Sequence, residues 1–500
     1  MNKHPQIVLT SPATEMTTHH NREFLGFGTC SPTPPFPHWL TKLLFYPKVK
    51  NSEGVAHYAP YGLRKVEAAL LNNGFEEDQV AVIHPDHLNH YVGPETRAVG
   101  ISVMDPLGLG PVSATFSAIL NGRPATAFEF RRMMNKRCFR KFKPKIILGG
   151  PGAWQIHSFK NAQQIFGIST VVIGEADEVA PEIFKRAVEG DDLPPLIYAR
   201  PAIENNIPTI KRPSVNGLIE ISRGCGRNCQ FCIPTMRPKR DLPVTKILDE
   251  VAVNVKGGCR QICLHAEDIL LYGSGAEYGF KPVSEKVLNL FKSTIEMLGG
   301  AANIGISHVS LPAVASSPGL VKDLTHLLGI GEPNAPFLGV QVGLETGSVR
   351  LIRKYMAGKP LPYRPEDWPE VVKTAIGVMD DCNWIPALTL MVGLPGETAT
   401  DIADTIELLD DLKSYRSLIV PLFFISSEEM ILHSNNTLKK ETITPEHEQL
   451  FLACLKHSLH WANSLREPYL GRDVSATFKL AFATFMKIIG LKAAKAKSTM

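Results

Sequence analysis

The chain has 500 residues, room for about three domains of ordinary size. Apolar residues make up 44% and charged residues 20%, which excludes global disorder and collagen-like repeats. The 53 basic and 49 acidic side chains leave a charge of +4, too even to suggest nucleic acid, so no nucleic-acid partner is expected. Nine cysteines, an odd number without framework spacing, do not describe a secreted disulfide scaffold. The first twenty residues lack an apolar h-region, and the uncharged stretch 299–321 is broken by Gly, Ser, Pro and His308. The expectation is a cytoplasmic protein with reduced cysteines.

Residues 1–55 show no period and read as an N-terminal extension, with a Pro-punctuated run at 31–39. From Tyr61 the pattern becomes regular. An amphipathic helix runs to Gly74, and apolar strands are predicted at 79–85, 97–105, 145–152 (running into a glycine turn) and 171–177. Helices are predicted at 112–121, 125–135 and up to Glu189. Alternating helices and near-continuous apolar strands predict a parallel α/β, Rossmann-like domain over 56–190. Its glycine turns follow strands, on the edge where such sheets bind ligands. Residues 191–216, rich in Pro and Asn, read as a linker.

A second α/β series fills 217–430. Strands are predicted at 218–222, 261–265, 303–309, 337–343, 386–393 and 417–425, with helices between them. Six β/α units predict a partial (β/α)6 barrel with active groups on loops after the strands. Residues 431–500 read as a C-terminal helical segment, with helices at 444–466 and 474–492.

The strongest signal is ISRGCGRNCQFC, in which Cys225, Cys229 and Cys232 follow the first barrel strand with C-x3-C-x2-C spacing. Three thiolates are soft ligands for iron–sulfur or zinc, and a closed structural zinc site would want a fourth. The motif resembles the radical S-adenosylmethionine (radical SAM) enzymes. That resemblance implies a [4Fe-4S] cluster on Cys225, Cys229 and Cys232, with S-adenosylmethionine chelated by the remaining iron. It also implies reductive cleavage of that cofactor to a 5′-deoxyadenosyl radical, with Phe231 near the adenine. Further segments extend the likeness over about 217–425. His265-Ala266-Glu267-Asp268 stands where the family has a Gly-Gly-Glu-like segment, which puts Glu267 or Asp268 at the methionine amino group. VQVGLETGS implies Glu345 and Ser348 at the cofactor edge. LMVGLPGET implies Gly393 and Pro395, with Gly396, in a turn near the adenine. The plainer alternatives are a strand-end carboxylate at Glu345 and glycines serving backbone turns.

IILGGPGAW followed by VVIGEADE resembles the cobalamin-binding domain that often precedes the barrel in this family, with Gly149 and Gly150 beside the cofactor. The cobalt-ligand motif of such domains is incomplete here, since Asp86 precedes His90 by four residues. The resemblance implies cobalamin-dependent methylation of an unactivated carbon. The alternatives are a corrin-free radical SAM enzyme doing other C–H or C–C chemistry, and a zinc-stapled binding protein. Methylthiotransferases of the family carry three further cluster cysteines in the N-terminal domain, where this chain has Cys30 and Cys138. Cys259, Cys263, Cys382 and Cys454 read as buried thiols. Implied partners are an electron donor such as ferredoxin or flavodoxin and a substrate that the sequence leaves open among peptide, lipid and small metabolite. The 474–497 helix either packs over the barrel or makes peripheral membrane contact through its lysines.

Overall fold

The computed structural model describes residues 4–33, 36–49, 51–300, 303–433, 438, 440–470, 478–480 and 482–484. Six parallel strands form the N-terminal sheet: β1 (Ile7–Thr10), β2 (Val80–Val82), β3 (Ala98–Ser102), β4 (Lys145–Gly149), β5 (Thr170–Ile173) and β6 (Leu196–Tyr198). Their order is β6-β5-β4-β3-β1-β2. The inner strands are mostly apolar because both faces of the sheet are covered there. Val8, Val99, Leu148 and Val171 share one core with Phe130 and Met133 of α3 (Ala125–Met134). The alternate residues Ile7, Leu9, Ile147 and Val172 share another core with α1 (Tyr61–Asn72) and α4 (Ala180–Glu189).

Two boundaries differ from the sequence reading. The stretch 1–55 contains β1, a strand inside the sheet, so it is not an extension. The linker 191–216 contains β6, the strand at the sheet's other edge. At four and three residues, both strands are too short for a hydrophobic period to register, and prolines flank them. Burial of Ile7 carries a measurable consequence. Ile7→Ala lowers the unfolding free energy by about 2–5 kcal/mol in urea melts, whereas a truncation in an exposed extension costs under about 0.5 kcal/mol.

The second unit has all six expected strands, as two parallel triplets. The first is β7 (Leu218–Glu220), β8 (Ile262–His265) and β9 (Ile304–Ile306). The second is β10 (Leu338–Glu345), β11 (Trp384–Val392) and β12 (Leu418–Phe423). A single bridge, His308 to Gln341, joins the triplets. One core runs through both, with Ile219, Leu264, Ile306, Val340, Leu388 and Ile419 among its members.

The units are fastened at several points. Phe423 N of β12 donates to Thr115 Oγ1 of α2 (Pro111–Leu120) at 2.8 Å. Lys65 of α1 pairs with Glu250 of α5 (Val244–Lys256), both buried. The long helix Pro445–Leu470 lies on β12, where Ser458 accepts from Ile419 N and His457 bonds Ser417. The expected helix at 474–492 lies mostly outside the described residues. Phe478, which is described, joins a small core with Leu25, Phe36 and Phe45. No helix among the described residues is long and apolar enough to cross a membrane.

Candidate active site

The cysteine motif forms the tip of a small hairpin. Ser222–Arg223 pair antiparallel with Arg240–Asp241, and the residues between make the loop. Three residues in it have left-handed backbone: Gly224, Gly226 and Asn228. At Gly224 only hydrogen fits, because a Cβ would sit 2.4 Å from Pro238 O. Cys225 N donates to Met236 O, and Cys232 N donates to Cys229 O at 3.1 Å. Gln230 N donates to Tyr355 O at 2.9 Å, and Gln230 O accepts from Leu432 N, so the loop is tied to the far half of the barrel.

Cys229 is buried, while Cys225 and Cys232 are half-buried. Burial pushes all three thiols up, Cys229 to about 11, and the mutual repulsion of neighbouring thiolates adds to the rise at Cys229 and Cys232. Such a group suits a cationic centre, which removes this repulsion and ionises the thiols. No three His, Cys, Asp or Glu side chains converge on a single-ion site among the described residues. Thiolates that ligate separate irons of a cluster do not need that convergence.

Residues from several loops surround the thiols. Glu345 ends β10 in left-handed backbone (φ 68°) and pairs with Lys359 at 3.0 Å. Its carboxylate folds back over Gly343, where a Cβ would fall 2.1 Å from Glu345 Oε1. Asp268 is buried, and its Oδ2 accepts from Arg227 and Ser310. Asp268 Oδ1 has no hydrogen-bond partner, so one buried acceptor beside the cysteine loop is open to a donor. Arg227 also donates to Leu361 O and lies over the Phe280 ring. Phe231 packs, partly buried, against the barrel core.

Ser348 is fully buried, with its hydroxyl committed inside the protein. It donates to Asp401 Oδ1 at 2.6 Å and accepts from Leu351 N at the start of the helix Val349–Tyr355. Burial alone would raise the Asp401 carboxyl, but bonds from Arg350, Ser348 and Thr398 hold it well below the usual range. A depressed native pKa gives stability that is complete above the unfolded value of about 3.9 and is lost as pH falls below it. Asp401→Asn therefore destabilises most near neutral pH, and the gap from wild type narrows from about pH 4 downward in urea melts. Gly393 and Gly396 have positive φ in the turn after β11, Gly393 N donates to Glu397, and Pro395 O accepts from Tyr355.

Between the two units lies a cavity of about 310 Å3. From the N-terminal sheet it is lined by Gly100 in the middle of β3 and by Gly149, Gly150 and Gly174 at the carboxyl ends of β4 and β5. Gly150 is required there, since a Cβ would lie 2.7 Å from Val103 O. Leu9, Ile147 and Phe184 give one end an apolar wall, and the barrel supplies Glu220, His265 and Glu267. Ile233, Thr235 and Met236 of the cysteine loop also line it. Burial, with Glu220 nearby, pushes Glu267 to about 7. Glu267 thus faces the cavity, whereas Asp268 turns toward Arg227. Burial also keeps His265 neutral, at about 3, edge-on to His308. His90 follows the edge strand β2, is exposed, and is not in the lining.

Residues 219–409 match the Radical SAM superfamily. That span is a radical SAM domain. Among curated proteins it is similar to tRNA-2-methylthio-N(6)-dimethylallyladenosine synthases. It is 26% identical to that of Tropheryma whipplei over 42% of this chain and 41% of the relative. It is 23% identical to that of Thermus thermophilus over 65% of this chain and 64% of the relative. The chain thus spans less than two thirds of the length of these relatives. The fold is similar to the radical S-adenosylmethionine methyltransferase TsrM of Kitasatospora setae. In the structure of TsrM with tryptophan and an S-adenosylmethionine analogue, the TM-score is 0.56 at 15% identity, covering 85% of this chain and 75% of that one. A second TsrM structure, with cobalamin and a [4Fe-4S] cluster bound, gives a TM-score of 0.54.

A radical SAM domain implies a [4Fe-4S] cluster and S-adenosylmethionine, and the three thiols and the open Asp268 acceptor fit that pair. Sequence reading missed Arg227, Lys359 and the ion pairs around Glu175. Arg227 stands inside the cysteine motif, where its charge was the available signal. The partners of the others lie far away in the chain and leave no local pattern.

Proposed function

We propose that this protein is a cobalamin-dependent radical SAM methyltransferase acting on an unactivated carbon. The observation that carries the reading is the cavity that runs from the N-terminal glycine turns to the cysteine loop. A cofactor there would stand between the sheet edge suited to it and the cluster loop. At about 310 Å3 the cavity has room for the nucleotide tail of such a cofactor, with the corrin ring outside it toward the cluster loop. When bound, the cluster supplies the electron that cleaves S-adenosylmethionine, and the corrin supplies a transferable methyl group.

The chain's own residues bind, orient and exclude water. Cys225, Cys229 and Cys232 would hold the cluster, and Lys359 offsets negative charge beside Cys229. Asp268 Oδ1 would be available to the amino group of a bound S-adenosylmethionine, with its other oxygen held by Arg227 and Ser310. Gly100, Gly149, Gly150 and Gly174 let a cofactor approach the backbone. Among the described residues, the lining has no histidine from the N-terminal unit. A low-potential donor such as ferredoxin or flavodoxin would supply electrons.

The curated relatives' names favour a second reading, methylthiolation. Against it, the N-terminal unit has only Cys30 and Cys138. Burial pushes both thiols up, and they sit in separate surroundings, Cys30 near Ser113 and Cys138 on the helix Arg137–Phe142. Anaerobic purification with hydroxocobalamin, followed by a visible spectrum, separates the readings. The proposal expects a corrin spectrum that remains with the protein after gel filtration. A brown protein that retains no corrin would overturn methyl transfer from cobalamin.

A further inference from the structure

The turn after β5 reaches across the domain boundary to the hairpin that carries the cysteines. Glu175 in this turn takes two bonds from Arg240, Nη2 to Oε1 at 2.7 Å and Nη1 to Oε2 at 2.9 Å. Its Oε2 also accepts from Arg223 at 2.6 Å and from Ala202 N at 3.0 Å. Asp177, two residues on, takes Arg223 through both terminal nitrogens at 2.8 and 3.1 Å. Arg223 completes its fork on Glu220 of β7 at 2.8 Å, and Arg240 also donates to Ala202 O and Thr235 O.

Arg223 and Arg240 are directly paired residues on the two hairpin strands. The loop between them contains all three cysteines, and Arg223 is two residues from Cys225. The four side chains are largely buried, Asp177 at 6% and Arg240 at 8% exposure. Bidentate guanidinium–carboxylate pairs fix direction as well as distance, more sharply than a lysine would. The hairpin itself is only two residue pairs long, too little ladder to hold a sixteen-residue loop alone.

We propose that Glu175 and Asp177 are positioning residues, through which the N-terminal unit sets the geometry of the cysteine loop and thereby the binding of S-adenosylmethionine. The inference rests on the cluster assignment above, but the first arm of its test does not need a cluster. In metal-free protein, the alkylation rates of Cys225 and Cys232 by iodoacetamide, read by mass spectrometry, report how well the loop is held. Glu175→Gln keeps the side chain's shape and removes its charge. It is expected to speed alkylation about tenfold, because local opening becomes easier. In reconstituted protein, iron content stays as in wild type. The S-adenosylmethionine concentration that half-shifts the reduced-cluster EPR signal rises about tenfold, the scale of losing an outer-shell partner.

Arg416→Gln is the control. It breaks an ion pair with Asp380 remote from the loop and is expected to change neither readout. If Glu175→Gln does not fold, Asp177→Asn carries the test, since it leaves the Glu175–Arg240 pair in place. Wild-type alkylation rates in the variant, or equal acceleration by Arg416→Gln, would overturn the positioning role. Faster alkylation with an unchanged S-adenosylmethionine response would also overturn it, leaving a purely structural contact. A wild-type cluster that ignores S-adenosylmethionine would count against the cluster reading, while the alkylation arm still judges the clamp.

Discussion

Cys229→Ala abolishes iron binding: reconstituted protein falls from about four irons per chain to background, and cleavage of S-adenosylmethionine drops by more than about 100-fold. Cys229 is the middle cysteine of the motif and its buried member, with Lys359 beside it. No other thiol is placed to replace it. Cys259 lies against Ser214 and Asn254, and Cys263 is buried within β8. The loop's backbone bonds do not use the lost sulfur, so the variant keeps its fold, at a cost of about 1 kcal/mol for the small void. Iron analysis, the visible spectrum and quantified 5′-deoxyadenosine check the result. Full iron content in the variant contradicts the ligand assignment.

Lys65→Met has the largest expected effect on stability. Lys65 Nζ meets Glu250 Oε1 and Pro208 O in the interface between α1 and α5, with side-chain exposures of 5% and 1% for the ion pair. Glu250 also accepts from Tyr61 OH and Ile210 N. Methionine fills the space but leaves that carboxylate buried without its countercharge. Removing one partner of a buried pair costs about 3–5 kcal/mol. Urea melts of the apoprotein measure it. Adding Glu250→Gln to Lys65→Met recovers much of the loss, because the uncompensated charge goes with it. A single-variant loss below about 1 kcal/mol would show that water reaches the pair.

Strand order along the chain and the cysteine motif were legible because each has a local signature. All six barrel strands arise where apolar runs end at turn residues. The cysteine spacing needs no distant partner to be read. Short strands were not legible, as Ile7–Thr10 shows: its four buried residues cannot display a period, and three-dimensional neighbours place it beside Val80–Val82 and Ala98–Ser102. The site was legible in part. Gly149 and Gly150 do line the cavity, and Glu345 stands beside Lys359 near Cys229. Glu267 and Asp268 look equivalent in sequence, yet successive residues point apart, one to the cavity and one to Arg227. Ser348 looks like a ligand residue in its motif, but its hydroxyl caps a helix and serves Asp401. Arg223 and Arg240 could not be matched to Glu175 from sequence, because the pairs span 48 and 65 residues.

The most direct test of the account is the EPR spectrum of anaerobically reconstituted, dithionite-reduced protein, recorded before and after S-adenosylmethionine is added. A reduced [4Fe-4S] signal is expected, absent in Cys225→Ala, Cys229→Ala and Cys232→Ala, whose g-values shift when S-adenosylmethionine binds. A colourless protein holding zinc, or a cluster signal indifferent to S-adenosylmethionine, would contradict it.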